Sequence, residues 1–153
     1  MNAKTNINYL FSPLLILIFT SWASVANAQQ ELMEQINALS KYYLTSGMSF
    51  EIKNTNGDAI LSVYDEDTDE EHTVYLNLKN DFWIEDIQLD EDEEGHIIRL
   101  TPKKKLKLET NDGVSSIDVG QYFQIFSKVN GARTSYLHDR IIAFAKAIGT
   151  KSK

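Results

Sequence analysis

The sequence predicts an α+β fold: an N-terminal helix, an antiparallel meander of about seven strands and a C-terminal helix. Three observations predict it. Apolar residues recur at helical spacing near Gln30–Leu44 and Leu137–Ile148, alternating or β-branched runs fill the chain between them, and glycine-containing turns separate those runs. We expect the strands to curl into a partly open barrel or to fold over as two sheets, because so many strands share one apolar face.

The first 28 residues have the composition of a secretory signal peptide. Lys4 precedes an apolar segment of about ten residues, and small residues ending at Ala28 follow it. That segment is shorter than the roughly 20 residues of a membrane span. The sequence therefore predicts an exported, periplasmic or secreted protein whose mature form, residues 29–153, is a single soluble domain; an uncleaved N-terminal anchor is the alternative.

Charge and cysteine usage exclude several classes of function. The net charge is −7, and it becomes −8 when Lys4, the only charged residue of the signal, is removed. Such acidity disfavours binding to nucleic acid or to anionic lipid, which requires clustered cations. The chain has no cysteine, so disulfides, thiol catalysis and Cys-based metal sites are excluded.

The first helix and hairpin follow from spacing and turn chemistry. Leu32, Ile36, Leu39 and Tyr43 form one stripe of a helix over Gln30–Leu44. Further strands are predicted over 48–53 and 59–64, and the dipeptide Asn56-Gly57 between them is a strong hairpin signal.

The longest β-rich stretch is Thr73–Leu89. It predicts two strands, 73–79 and 81–89, around a tight turn at Asn80-Asp81. The alternation slips at Glu85-Asp86, and a β-bulge at that point would return the later apolar residues to one face.

Three further strands and a second helix complete the chain. The strands are predicted over 96–101, 104–110 and 120–129, with a short extension over 114–118. Asn130 is the expected N-cap of the helix, and Gly149 ends it. Its apolar stripe consists of Leu137, Ile141, Phe144, Ala145 and Ile148.

Seven meandering strands followed by a C-terminal helix, over Met48–Ile148, resemble the pleckstrin-homology superfold in strand order. The tryptophan that such domains usually carry in the last helix is missing from Tyr136–Ile148. Because superfolds host many unrelated functions, the resemblance implies a topology and no activity.

Two acidic loops are the candidate metal site. Carboxylates are the ligands that Ca²⁺ prefers, but neither loop has the Gly and Glu positions of an EF-hand. The alternative is a pair of solvated hairpin loops. The candidate ligands are Asp65, Asp67, Asp69, Asp90, Asp92 and Glu94.

Other polar clusters have two interpretations each. The run Lys103–Lys107 is either an anion site or an edge strand that lysines protect from aggregation. His72, His96 and His138 lack the spacing of a helix-borne zinc site, although His72 and His96 adjoin the acidic loops.

Catalytic signals are weak. The sequence has neither a G-x-S-x-G elbow nor a phosphate-binding P-loop. Glu85 is the only acid flanked by enough apolar sequence to be a candidate general acid, and the alternative, which the position favours, is a charge at the predicted β-bulge.

Outward-facing aromatic residues are the candidate contact points for a protein partner, since Tyr and Trp dominate interface hot spots. Tyr75, Trp83 and Tyr122, with Tyr64, are expected on the face opposite the core or under the N-terminal helix. We therefore expect a non-catalytic binding module. The alternatives are a carrier of a small ligand or lipid, with Phe144 and the last strand lining a cavity between sheet and helices, and a cation-dependent hydrolase.

Overall fold

The computed structural model describes residues 12–66, 69–92 and 95–153, and side chains from residue 24 onward except those of Asp65 and Asp92. It confirms the α+β class. Within the described residues, two helices flank eight antiparallel strands. In chain order the elements are α1 (Ser12–Tyr43), β1 (Met48–Ile52), β2 (Asp58–Asp65), β3 (Glu70–Asn77), β4 (Ile87–Asp92), β5 (Gly95–Leu100), β6 (Leu106–Thr110), β7 (Gly113–Ile117), β8 (Phe123–Phe126) and α2 (Gly131–Ala147).

The strands form two sheets and no closed barrel. The first sheet has the order β1-β2-β3-β6-β7, and the second has the order β4-β5-β8. The chain therefore leaves the first sheet after β3, builds a hairpin in the second, and returns for β6 and β7. The single seven-strand meander is not observed, and the pleckstrin-homology-like strand order is not confirmed.

The prediction that Thr73–Leu89 forms one hairpin is wrong. β3 pairs with β2 and β6, whereas β4 pairs with β5 in the other sheet. The expected tight turn does form: the amides of Asn80 and Asp81 donate to the Asn77 carbonyl at 3.1 and 2.8 Å. Beyond this turn the chain crosses to the second sheet instead of folding back beside β3.

The predicted β-bulge at Glu85-Asp86 is replaced by a single 3-10 turn over Ile84–Asp86. A 3-10 turn rotates the chain by about 120° per residue, which changes the phase of the apolar pattern as a bulge would. It brings Ile87 onto the buried face of the second sheet, where 3% of the residue is exposed.

The core lies between the inner faces of the two sheets and the two helices. The predicted stripe of α2 is buried, and α1 packs on α2 and on β1. The Asn130 side chain caps α2 by accepting a hydrogen bond from the Arg133 amide at 3.2 Å. The two sheets do not cover all of each other's apolar surface, and the two amphipathic helices cover the remainder.

Among the described residues, neither helix combines the length and the hydropathy that a membrane span requires. The predicted signal peptide, residues 1–28, lies partly outside the described residues, which begin at Ser12 within α1. Its cleavage stays a prediction.

Candidate binding cleft

An apolar cleft of about 230 Å³ lies between the two sheets. Its floor is formed by Leu61 and Val74, which are almost fully buried, and most of its walls are half-buried apolar side chains. The lining residues come from six strands: Met48, Leu61, Val63, His72, Val74, Leu108, Ile117, Phe123, Gln124 and Phe126. The cleft exists because the inner face of the first sheet extends beyond the area that β8 covers.

Two polar side chains, His72 and Gln124, stand in this apolar lining. The imidazole Nε2 of His72 lies 3.4 Å from a carboxylate oxygen of Glu70, two residues earlier on β3. A few placed polar groups in an apolar pocket fix the orientation of what binds there. His72 and Gln124 are such polar groups, and they lie on opposite walls of the cleft.

One wall of the cleft is the free edge of β8. The Ser127 amide donates to the His96 carbonyl, so the backbone groups of Ile125 and Phe123 face β5 and those of Phe126 and Gln124 face away. Both of these groups of Phe126 are satisfied, because the Thr45 amide donates to its carbonyl at 3.2 Å and its own amide donates to Sδ of Met48 at 3.2 Å. Within the described part of the chain, the outward backbone groups of Gln124, which also lines the cleft, have no hydrogen-bond partner.

The acidic hairpin tip lies at one end of the cleft. In the β2–β3 register, the lining pair Val63 and His72 is followed by Tyr64 opposite Glu71 and by Asp65 opposite Glu70. Among the candidate metal ligands of this loop, Asp69 accepts a hydrogen bond from the Tyr64 hydroxyl, and Asp67 lies outside the described residues. That hydrogen bond raises the pKa of Tyr64.

The second acidic loop lies on the other sheet, at the β4–β5 hairpin. Asp90 forms an ion pair with Arg99, the side chain of Asp92 is not described, and Glu94 lies outside the described residues. Among the side chains that the structure describes, no three of His, Asp or Glu converge as metal ligands. The cation site stays a prediction for the two hairpin tips.

The aromatic residues expected to form one contact face lie at separate places. Tyr64 and Tyr75 project from the outer face of the first sheet, Trp83 lies in the connection before β4, and Tyr122 precedes β8 in the second sheet. Each of the three candidate contact residues meets a cation of its own chain: Lys107 lies over Tyr75, Lys103 over Trp83 and Arg99 over Tyr122. Their role in binding a partner stays a prediction.

The lysine run serves neither as an edge strand nor as a set of unpaired cations. β6 lies inside the first sheet, between β3 and β7, so the edge-protection interpretation is wrong. Lys103 donates to the Phe82 carbonyl, while Lys104, Lys105 and Lys107 pair with Asp81, Asp118 and Glu109. The Lys104–Asp81 pair is 2.6 Å long and compensates the charge of an aspartate side chain that is 4% exposed.

Glu85, the candidate general acid, is exposed on the 3-10 turn. The Lys153 amide donates to its carboxylate at 3.0 Å, and this bond lowers the pKa of Glu85 below its usual value. A general acid at neutral pH requires the opposite shift. This geometry gives Glu85 a structural contact with the C-terminal residues.

The histidines stand apart from one another. His138 packs between α2 and β4 with Nε2 3.1 Å from the Ile87 carbonyl, and His96 stacks against Gly131 at the start of α2. Only His72 reaches the cleft.

Sequence patterns located the inward strand residues as core but did not reveal the cleft. Met48 and Val74 follow the period-2 alternation, and nothing local separates a residue covered by β8 from one that β8 leaves open. For the carrier hypothesis, the last strand does contribute Phe123 and Phe126 to the lining. Phe144 instead is fully buried in the core, and the cleft lies between the sheets and not between sheet and helices.

Comparison of the chain with protein-family models, with curated proteins and with solved structures found no match.

Proposed function

We propose that this chain is an exported, non-catalytic binding module that holds an apolar side chain of a protein partner in the cleft between its two sheets. The observation that carries the proposal is the cleft itself: its lining is apolar except for His72 and Gln124. Isolated apolar side chains at a protein surface need no explanation, but a contiguous concave patch of them marks a binding site.

The size of the cleft favours a side chain over a whole lipid. Pockets that enclose a small molecule usually measure about 300–1,000 Å³. This cleft measures about 230 Å³, and most of its walls are half-buried rather than enclosed. That space suits one or two apolar side chains presented by a partner that remains outside.

The charge around the cleft favours a basic partner. Glu70 and Glu71 follow the cleft at the β2–β3 hairpin, whose tip carries further acids, and the whole chain has a net charge of −7. Complementary charge at the rim of an interface raises the association rate and selects among partners. We therefore expect the partner segment to carry Lys or Arg beside its apolar residue.

Peptide selection tests the proposal. Linear peptides from a displayed library are selected on the wild-type protein and then titrated against Ile117→Trp, which fills the cleft from β7. The matched control is Val114→Trp on the same strand, because Val114 points to the outer face and is 67% exposed. Enriched peptides should combine an apolar residue with Lys or Arg, and Ile117→Trp should weaken their binding at least tenfold while Val114→Trp leaves it unchanged.

Two outcomes contradict the proposal. Peptides that bind wild type and Ile117→Trp with equal affinity would place the site elsewhere. If peptide affinity does not fall when the Lys or Arg is replaced, or when salt is raised, the partner segment need not be basic, and that part of the proposal is wrong.

The second candidate function is to carry a small apolar ligand in the same cavity. Native mass spectrometry of the purified protein, and titration with the neutral dye N-phenyl-1-naphthylamine, separate the two. A co-purifying ligand, or stoichiometric dye binding that Ile117→Trp abolishes, would favour the carrier; peptide binding without either favours the protein-binding module.

A further inference from the structure

A second crevice, of about 360 Å³, lies between α1 and the free edge of β1. Its walls are Asn37, Ser40 and Lys41 from the helix and Met48, Ser49, Phe50 and Glu51 from the strand. A groove between a helix and an edge strand is the geometry in which an extended peptide adds to a sheet. This crevice is independent of the cleft between the sheets, and only Met48 borders both.

The β1 ladder determines which backbone groups face the crevice. The Tyr64 amide donates to the Gly47 carbonyl and the Lys53 amide donates to the Asp58 carbonyl, each at 2.7 Å. Hydrogen-bonded pairs alternate along an antiparallel ladder, so Met48, Phe50 and Ile52 point their amide and carbonyl groups away from β2. β1 ends the first sheet, and this outward side is therefore its free edge.

At one position α1 already imitates an additional strand. The Asn37 side-chain carbonyl accepts from the Ile52 amide, and its amide group donates to the Ile52 carbonyl, both at 2.8 Å. A carboxamide that accepts and donates in this way replaces one peptide group of a neighbouring strand. The sheet edge is thus closed at Ile52 by a side chain.

Two residues further along, the edge is open. Within the described part of the chain, the amide and carbonyl of Phe50 have no hydrogen-bond partner, although only 3% of Phe50 is exposed. The Ser40 hydroxyl in the opposite wall is also buried without a partner, in a residue that is 3% exposed. Buried unpaired groups are rare and each costs about 1–3 kcal/mol, so these three groups in one crevice indicate a missing occupant.

We propose that this crevice binds an extended peptide segment, which continues along β1 the row that Asn37 begins. One residue of the peptide accepts from the Phe50 amide and donates to the Phe50 carbonyl, and the Ser40 hydroxyl bonds an adjacent peptide group. A second copy of this chain does not fit this role. Antiparallel pairing of two β1 strands about Phe50 would set Met48 opposite Ile52, whose edge Asn37 occupies.

The test excludes the cleft from the start. Linear peptides are selected from a displayed library on the Ile117→Trp protein and counter-selected on the double variant Ile117→Trp, Lys41→Trp, which obstructs the crevice from α1. The matched control is Tyr42→Trp, the next residue on the helix, which is 68% exposed and does not line the crevice. A selected peptide should lose at least tenfold in affinity for Lys41→Trp and none for Tyr42→Trp.

Backbone pairing has a signature that side-chain contact lacks. Binding should slow hydrogen exchange of the Phe50 amide at least tenfold in nuclear magnetic resonance spectra. N-methylation of the peptide should abolish binding at the one residue that pairs with Phe50 and not at its two neighbours, because the amides of those neighbours face away from β1. Failure to select any peptide, or peptides that bind without protecting the Phe50 amide, would overturn the inference and leave the cleft proposal untouched.

Discussion

At the scale of single residues, a small polar cluster organises the β1–β2 turn and ties it to the end of β3. Asp58 accepts hydrogen bonds from the side-chain amides of Asn54 at 2.8 Å and Asn77 at 2.7 Å. These two bonds lower the pKa of Asp58 below its usual 3.8, the Asn54 bond having the larger effect. Charge-assisted bonds of this kind stabilise only the ionised carboxylate.

The cluster predicts how the effect of Asp58→Asn depends on pH. A lowered pKa in the folded state means that the contribution to stability is present above the unfolded pKa, and that it is lost as pH falls through the folded value. Asp58→Asn should therefore lower the melting temperature at pH 7, and this difference from the wild-type melting temperature, the gap, should close below pH 3.8. Thermal unfolding from pH 2 to pH 7 measures it, with Asp112→Asn in the exposed β6–β7 turn as control; a gap that persists at pH 2 would contradict the prediction.

Gly57 combines a backbone requirement with a tight contact. Its φ is +94°, and a Cβ built on it would lie 2.6 Å from Cδ1 of Ile148, beyond α2. Gly120 has a similar φ of +88° with nothing within 4 Å of such a Cβ. The two positions differ mainly in the room available for a Cβ atom. Together they therefore separate the cost of backbone strain from the cost of steric contact.

We expect Gly120→Ala to lower the free energy of unfolding by about 1–2 kcal/mol through backbone strain alone. Gly57→Ala should cost about 1–3 kcal/mol more, because the overpacked contact moves Ile148 in the core. Urea unfolding of both variants checks the difference. Equal losses would show that Ile148 yields without cost.

At the scale of elements, local patterns predict the helices and the turns better than the sheet membership of strands. The α2 stripe, the Asn130 cap and the Asn56-Gly57 hairpin depend on residues within about a turn of one another, and the structure confirms all three. Whether β4 pairs with β3 as well as with β5, as the predicted meander requires, depends on contacts distant in sequence. One such contact is that of Phe82, in the connection before β4, which packs edge-on against Phe123 of β8 at 6.0 Å.

The candidate cleft shows the same limit. Val63, Leu108 and Ile117 look like ordinary inward strand residues, because alternation records which face a residue occupies and not how much of that face the other sheet covers. The free edges of β1 and β8 are likewise invisible in sequence, since backbone groups are the same in every residue. The acidic hairpin loop was predicted from the sequence, and the structure places it beside the cleft.

Through the pairing of Asn37 with Ile52, α1 closes part of the sheet edge. Loss of this pairing should therefore cost more stability than loss of an exposed hydrogen bond on the same helix. Asn37→Ala removes both bonds to a strand residue that is 1% exposed. We expect a loss of about 1–3 kcal/mol in the free energy of unfolding, because the Ile52 backbone groups become unsatisfied. Gln30→Ala, which removes an exposed bond to Glu34 on the same helix, should cost under about 0.5 kcal/mol.

Asn37→Asp refines that measurement. The aspartate keeps an acceptor for the Ile52 amide and loses the donor to the Ile52 carbonyl, so its cost should be close to that of Asn37→Ala when it is ionised. Chemical denaturation at pH 7 gives all three values. Equal stability of Asn37→Ala and Gln30→Ala would mean that water satisfies the edge of β1 at Ile52.

At the scale of the whole molecule, the last residues connect the part of the chain that leaves the first sheet to the part that enters the second. The Thr150 hydroxyl donates to the Leu78 carbonyl just after β3, at 3.0 Å, and the Ile84 amide of the 3-10 turn before β4 donates to the Lys151 carbonyl at 3.0 Å. Lys153 then forms an ion pair with Asp86, whose side chain is 11% exposed. The tail thereby fixes the crossover that sequence did not predict.

Deleting residues 151–153 should lower the free energy of unfolding by about 2–4 kcal/mol. The deletion leaves the Asp86 carboxylate without its cation and the Ile84 amide without its acceptor, and both groups lie at the crossover. For a chain of this size, each kcal/mol corresponds to roughly 2–4 °C in melting temperature. Lys151→Ala is the matched control, because Lys151 takes part through its backbone carbonyl.

The single variant Lys153→Met separates charge from chain connectivity. It keeps the Lys153 amide bond to Glu85 and removes the ion pair, so it should account for about half of the loss that the deletion causes. The Lys153→Met loss should also shrink as salt is raised, since an ion pair with one exposed partner is partly screened. If the deletion melts at the same temperature as Lys151→Ala, the tail does not hold the two sheets in register, and their packing depends on α1, α2 and the shared core alone.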